Sequence, residues 1–324
     1  MDERETIEEK KDLKLYMASV IEKLQADKKR AAVHTYTCTL HSFIHFSGSK
    51  DTELLVKDVF TPGTLKAYQE WMIRRGLRWN TVSTYMRTLQ AVFHRLVIDR
   101  LVEYTSKLFD DVYTKVEPQT KRALTEEQMG HLLHADSCEL PERLRQAQAY
   151  FLLMFLFRGM PFIDLAHLRK QDIRGNNLVY CRHKTGRQLM VRIPREAILL
   201  LEMYRNRNPD STYLFPILDE RLRNDERLYQ CYLGALRRFN RELGEIAEKF
   251  LPGVKISSYT ARHTWATLAF YQGVHVGIIS KALGHSSIKV TETYLKPFEN
   301  EKIDKANEEL IISVIKNSEG KKVA

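Results

Sequence analysis

Nothing in this chain approaches the roughly 20 consecutive apolar residues that a membrane-spanning helix requires. Its first residues, MDERETIEEKKDLKLY, are charged where a secretory signal is apolar. These absences leave a soluble protein of the cytoplasm, with no span in a membrane, as the expectation. Only four cysteines occur, Cys38, Cys138, Cys181 and Cys231, far apart and without CxxC or His-rich spacing. Neither a disulfide framework nor a zinc site is therefore expected, and the thiols read as reduced and buried. No other group has metal-ligand spacing, so no catalytic metal and no cofactor are expected. Internal repeats and low-complexity tracts are also absent. Acidic residues are the minority: 41 Asp and Glu face 51 Lys and Arg, a formal charge of +10 with a pI near 9.3. Such an excess favours a polyanionic partner, nucleic acid first and an anionic membrane surface second.

The 324 residues, 44% of them hydrophobic, can fill the cores of two domains. Residues 1–27 carry eight acids and five bases around a stripe of Ile7, Leu15, Val20, Ile21 and Leu24, and read as an exposed leading helix. Val33, Tyr36, Leu40, Phe43, Ile44 and Phe46 fall at helical spacing, ended by Ser47-Gly48-Ser49. Thr61-Pro62 starts another helix, running to about Arg75-Gly76. Asn80 is read as the cap of a fourth, whose apolar face includes Val82, Met86, Leu89, Phe93 and Leu96. From Lys66 to Arg100 there are seven bases and two acids, so Lys66, Arg74, Arg75, Arg78 and Arg87 become candidate phosphate contacts. A domain boundary is expected within 115–122, around Pro118, before a helix capped by Thr125. AYFLLMFLF, at 149–157, is apolar on every side and predicts a central buried helix. LVYCRHKTGRQLMVRI predicts two strands around Lys184-Thr185-Gly186.

Four segments stand out together: FRGMPFIDLAHLRKQDI at 157–173, HKTGR at 183–187, SYTARHTWAT at 258–267 and LGHSSIKVTETYL at 283–295. Each alone has a dull explanation, such as a surface arginine, a hairpin turn or a helix C-cap. In this order, with His285 and Tyr294 nine residues apart, they resemble the catalytic domain of the tyrosine recombinases, or phage-type integrases. The likeness covers roughly 30–316, and FRGMPFIDL and SYTARHTWAT look like recombinases of the Bacteroidetes type. The resemblance implies a mainly α protein. Residues 28–116 would form a helical SAM-like core-binding domain and 117–122 a linker. Residues 123–300 would form a mostly helical catalytic domain with a small β-sheet or hairpin, and 301–324 a C-terminal helix and tail for protomer exchange.

Phosphoryl transfer needs a nucleophile, a proton donor for the leaving 5′ hydroxyl, and cations around the non-bridging oxygens. By resemblance, Tyr294 is the nucleophile and leaves a 3′-phosphotyrosine, Lys184 protonates the leaving oxygen, and His285 bonds the scissile phosphate. Arg262 matches the family's second arginine, whose planar fork suits bidentate phosphate binding. His263 is a supporting neighbour. Two departures appear. Tyr259 stands where the family commonly has His, and a phenol near neutral pH is a poor base. Pro161 stands in the slot of the first arginine, three residues before Asp164-Leu165, making Arg158 the candidate replacement and Arg169 its rival. Asp164 then keeps a supporting role.

The implied activity is site-specific cleavage and rejoining of double-stranded DNA through a Holliday junction, in a homotetramer, for inversion or for integration and excision. Accessory DNA-bending or directionality factors and a nucleoid-associated location go with it. The core-binding region begins near residue 30, so no additional arm-binding domain is expected, favouring a simple recombinase. Two other readings stay open at this point. One is a topoisomerase of the type IB kind; the other is a catalytically degenerate, architectural DNA-binding protein.

Overall fold

The computed structural model describes residues 11–50, 52–117, 123–135, 140–222, 224–295, 303–304, 307–312 and 315. The chain divides into two compact units, Met1–Gln119 and Thr120–Ala324. Pro118 and the rest of 118–122 lie outside the described residues.

Among its described residues the elements of the first unit are helices: α1 (Leu13–Ala26), α2 (Arg30–Ser47), the short α3 (Val56–Val59), α4 (Pro62–Arg74) and α5 (Trp79–Ile98). Its start signals act as their chemistry requires. Asp12 caps α1 through Lys14 N, and Thr61 caps α4 through Thr64 N with Pro62 in the first turn. Gly48 closes α2 in the left-handed conformation that a Cβ disfavours. Two expectations are corrected here. The leading helix is not exposed: Leu13, Tyr16, Met17, Val20 and Leu24 are buried, and Leu15 alone of its expected stripe is half open to solvent. The tyrosine and methionine complete an apolar face that aliphatic residues alone leave broken, and Tyr16 Oη donates to Asp99 at the end of α5 (2.8 Å). Ile7 lies outside the described residues. Asn80 caps no helix, because α5 begins one residue earlier. Its side chain instead accepts from Glu117 N (2.8 Å) and donates to Glu117 O (3.1 Å), tying down the chain that leaves this unit.

The second unit comprises α6 (Glu126–His134), α7 (Glu142–Leu156), α8 (Phe162–His167), a three-stranded sheet, α9 (Arg195–Tyr204), α10 (Asp225–Phe250), α11 (Thr260–Tyr271), α12 (Val276–Ala282) and α13 (Ile288–Glu292). Thr125 and Gln128 form a reciprocal capping box at α6. Helix α7 is the apolar segment expected to be central, and α9, α10 and α11 all pack on it. Strands β1 (Ile173–Arg174), β2 (Asn177–Cys181) and β3 (Gln188–Arg192) form an antiparallel meander, with Cys181 opposite Gln188 across the turn that carries Lys184. A satellite core of Ala266, Ile279, Leu283 and Leu295 holds the 276–295 segment on α11, and Tyr294 packs against it.

The thiols also differ from expectation. Cys38 and Cys231 are half-buried, Cys181 is exposed, and all three are free; Cys138 lies outside the described residues. Among the described residues no helix is long and apolar enough to cross a membrane.

Candidate active site

Helix α7 stops at Phe157, and the next two residues turn left-handed, Arg158 at φ 59° and Gly159 at φ 68°. At Gly159 the absence of a side chain matters. A Cβ there would stand 2.9 Å from Arg262 Cα, closer than real Cβ atoms come, and the bare carbonyl accepts from Arg262 Nη1 at 2.8 Å. The FRGMP turn is thus a socket for Arg262. Arg158 itself points elsewhere, its Nη1 lying 3.4 Å from the carbonyl of Met190 on β3.

Arg262, in the first turn of α11, is 2% exposed. Its Nη2 donates to Leu283 O (2.6 Å) and to His285 Nε2 (2.8 Å), while its buried Nε has no hydrogen-bond partner among the described residues. An arginine can only donate, so His285 Nε2 is the acceptor, and the proton sits on Nδ1 facing Thr291 Oγ1 at 2.9 Å. Burial, followed by the charges of Arg262, Arg182 and Lys184, pulls the His285 pKa down to about 4. The imidazole is neutral at pH 7. Tyr294 closes the group. Its ring centroid is 5.0 Å from that of His285 and 4.9 Å from that of His263, and Arg262 Cζ lies 5.3 Å over the ring. The His263 Nδ1 and Thr267 Oγ1 both approach the Tyr294 carbonyl, at 3.4 and 3.5 Å. Tyr259 is 58% exposed at the rim, 6.4 Å from the His263 ring.

Lys184 sits on the exposed hairpin turn, close enough for its charge to be felt at His285. The turn closes through Arg182 N to Arg187 O (2.9 Å) and Gly186 N to Arg182 O (2.8 Å). Arg187 Nη1 then bonds the His285 carbonyl (3.0 Å), joining hairpin to LGH motif. Asp164 is 2% exposed; it accepts from His183 N (2.8 Å) and its Oδ2 lies 2.7 Å from Arg182 Nε. Burial raises the Asp164 pKa, and Arg182, His183 N and Arg262 oppose that shift.

Arg262, His285, Tyr294 and His263 are therefore brought to one place, with Asp164 behind them and Lys184 on the exposed turn nearby. Arg169 is committed elsewhere, paired with Glu220 (3.2 Å) and lying 3.9 Å over the Tyr213 ring. Sequence reasoning missed Thr291, Arg187 and Arg182. For Arg182 the signal is strand parity, since Leu178 and Tyr180 face the core and residue 182 continues their face.

In the first unit, Lys66, Arg74, Arg75, Arg78 and Arg87 are all exposed. Lys66 Nζ reaches Asp111 O (3.3 Å), and Arg75 lies 4.9 Å over the Trp71 ring with His45 beside it.

A model of the phage integrase family matches residues 122–301, and one of the phage integrase SAM-like domain matches residues 12–107. Tyrosine recombinase XerA of Pyrococcus furiosus is 26% identical over 225 residues, covering 68% of this chain and 71% of the relative. The Tn1549 transposon integrase in complex with circular intermediate DNA superposes with a TM-score of 0.56 at 16% identity, covering 90% of this chain and 99% of the other. A lambda integrase tetramer bound to a Holliday junction gives 0.58 at 16% identity, covering 87% and 76%. At such identities the structural likeness speaks to the fold.

Proposed function

This chain belongs to the phage integrase family, and from that premise we propose that it is a site-specific tyrosine recombinase whose nucleophile is Tyr294. The observation that carries the reading is the position of that tyrosine. Its ring lies against both Arg262 and His285, within its own chain, and is backed by the satellite core.

The chemistry follows from the groups present. Arg262 holds a buried guanidinium whose acceptors among the described residues include two carbonyls and a neutral imidazole. A phosphodiester offers it an anion instead, which adds attraction between opposite charges and allows bidentate contact with the planar fork. As the transition state gathers charge on the non-bridging oxygens, that fork stabilises it. The Tyr294 hydroxyl loses its proton to solvent as its oxygen attacks phosphorus, the bond to the 5′ oxygen breaks, and Lys184 supplies that oxygen's proton. The product is a 3′-phosphotyrosine and a free 5′ hydroxyl. Attack by another 5′ hydroxyl reverses the step, so no nucleotide is consumed. Tyr259, at the rim, is a hydrogen-bond donor beside this chemistry and His263 a support for the tyrosine backbone.

Duplex DNA is the proposed partner, with Lys66, Arg74, Arg75, Arg78 and Arg87 as backbone contacts of the first unit. A homotetramer is the proposed working assembly. The C-terminal segment is helical at 303–304, 307–312 and 315, and Ile303, Leu310, Ile311, Ile312 and Ile315 are each about half exposed or more, which suits docking on a neighbouring protomer. Ala306 and Val314 lie outside the described residues. The wording of two motifs supports placement among Bacteroidetes-type recombinases, acting at the nucleoid.

The test is to incubate the protein with genomic DNA, denature it, and sequence the fragments that remain covalently attached. One recurrent sequence is expected, and Tyr294→Phe should bind the same DNA yet leave no adduct. Adducts formed by the Phe variant would mean that another tyrosine attacks.

A further inference from the structure

The site as assembled has one arginine fork, from Arg262, where two non-bridging oxygens must be stabilised. The segment expected to supply a second does not do so: Pro161 has no cation, and Arg158 donates to the Met190 carbonyl. A different arginine is already inside. Arg182 follows β2 and is 6% exposed, with its side chain between the other motifs of the site. Its Nε meets Asp164 Oδ2 at 2.7 Å, and its Nη1 donates to the carbonyl of Leu283, the same oxygen that accepts from Arg262 Nη2. Gly284, at φ 68°, lays the LGH turn directly on it: a Cβ there would stand 3.4 Å from Arg182 Cγ and 3.5 Å from its Nη1.

Two guanidiniums sharing one carbonyl oxygen repel each other, and the low dielectric of a buried site makes that repulsion larger than at a surface. One carboxylate, Asp164, lies against them. With Lys184 on the turn and His285 neutral, three cations face a single anion. Such an arrangement is costly unless a second anion enters. The unpartnered Nε of Arg262 marks the same deficit.

We propose that Arg182 is the second phosphate-binding arginine of this enzyme, taking the role that Pro161 removes from its usual place, and that Asp164 is its positioning residue. This rests on the reading of the site as that of a tyrosine recombinase. The carboxylate fixes the Nε edge of the guanidinium, leaving the Nη groups to turn from Leu283 O to a non-bridging oxygen. Arg262 and Arg182 then hold the phosphate from two sides.

The test uses nicked duplexes carrying the sequence recovered from wild-type adducts, with either an ordinary scissile phosphate or a methylphosphonate, in which a neutral methyl replaces one charged oxygen. On the phosphate, Arg182→Ala should slow adduct formation about a hundredfold or more, the scale of losing one charge-stabilising donor. On the methylphosphonate, with that charge gone, most of the deficit relative to wild type should disappear. Because Arg182→Ala strands a buried carboxylate, Arg182→Met with Asp164→Leu is tested beside it, since replacing both members of a buried pair by apolar residues is tolerated. The double variant should show the same loss and the same recovery. Equal losses on both linkages would reduce Arg182 to a structural role, and a wild-type rate on phosphate would remove it from the reaction. Charge-dependent recovery in Arg158→Ala, and not in the Arg182 variants, would return the role to Arg158. Failure of the wild type to form adducts on either linkage would overturn the reading of the whole site.

Discussion

The carbonyl of Gly159 accepts from Arg262 Nη1 at 2.8 Å, and the α-carbon of that glycine lies so near that a Cβ would stand 2.9 Å from Arg262 Cα. Gly159 is at φ 68°, in the left-handed region that a side chain disfavours, and in that conformation its carbonyl meets the guanidinium. The turn that ends α7 therefore fixes the position of the central cation on α11.

Gly159→Ala should accordingly cost about 1–3 kcal/mol of stability, from the strained backbone and the contact with Arg262. Adduct formation should fall by a larger factor than DNA affinity, because the displaced group is the one that meets the transition state. Denaturant unfolding measured beside cleavage of a nicked substrate checks both. An unchanged cleavage rate would mean that Arg262 finds its position without this carbonyl.

The pH dependence of stability has a fixed sign at His285. Its pKa falls from the usual 6.5 to about 4 in the folded chain, so between those values the unfolded state binds more protons than the folded state. Stability from this group is complete above pH 6.5 and is lost as pH falls, up to about 3 kcal/mol by pH 4. His285→Gln, which cannot titrate, should flatten that slope. Urea midpoints at intervals from pH 7.5 to pH 4 give the comparison, and parallel curves for the two proteins would place the acid sensitivity elsewhere. DNA should act in the opposite sense on the imidazole, since a bound phosphate favours its protonated form.

Much of the fold is legible in the sequence because its signals are local. Thr61-Pro62, Thr125 with Gln128, and Gly48 each satisfy backbone groups within a few residues, and each begins or ends a helix where expected. Asn80 has the right chemistry for a cap yet bonds Glu117, a partner 37 residues away that no local pattern displays. Helix α1 misleads for a related reason: its burial depends on Tyr16 and Met17, whose partners come from the rest of the unit. In the site, Tyr294, Arg262, His285 and Lys184 are marked by motifs with fixed spacing. Arg182 is not, because its meaning arises from Asp164, Leu283 and Gly284, three residues brought to it from 18, 101 and 102 positions away in sequence.

The basic face of the first unit makes a prediction that salt can test. Each phosphate contact contributes about 0.9 to the slope of log affinity against log salt, through counterion release. Arg74→Glu with Arg87→Glu should therefore lower the slope by about 2. These two are preferable to Arg75, which also packs on Trp71, and to Lys66, which reaches Asp111 O. An unchanged slope would place this face away from DNA.

The exposed residues of the C-terminal segment predict a separation of activities. Ile303, Leu310, Ile311, Ile312 and Ile315 are each 48–63% exposed, an apolar surface that water disfavours and that a short helix does not hide by itself. Docking on a neighbouring copy would bury it only in the assembly. The proposed catalytic groups, up to Tyr294, precede the segment, and Tyr294 packs against Ala266, Ile279, Leu283 and Leu295 of the same unit. Truncation after Phe298 should therefore leave DNA binding and adduct formation on a single nicked site within about threefold of the full chain, while synapsis and strand exchange between two sites fall about tenfold or more, the loss expected when a docking helix worth about 1.4 kcal/mol or more is removed. Gel mobility of two-site complexes and recovery of recombinant joints measure the second pair of steps. Full recombination by the truncated chain would refute the docking role, and loss of adduct formation would show that the segment supports its own active site.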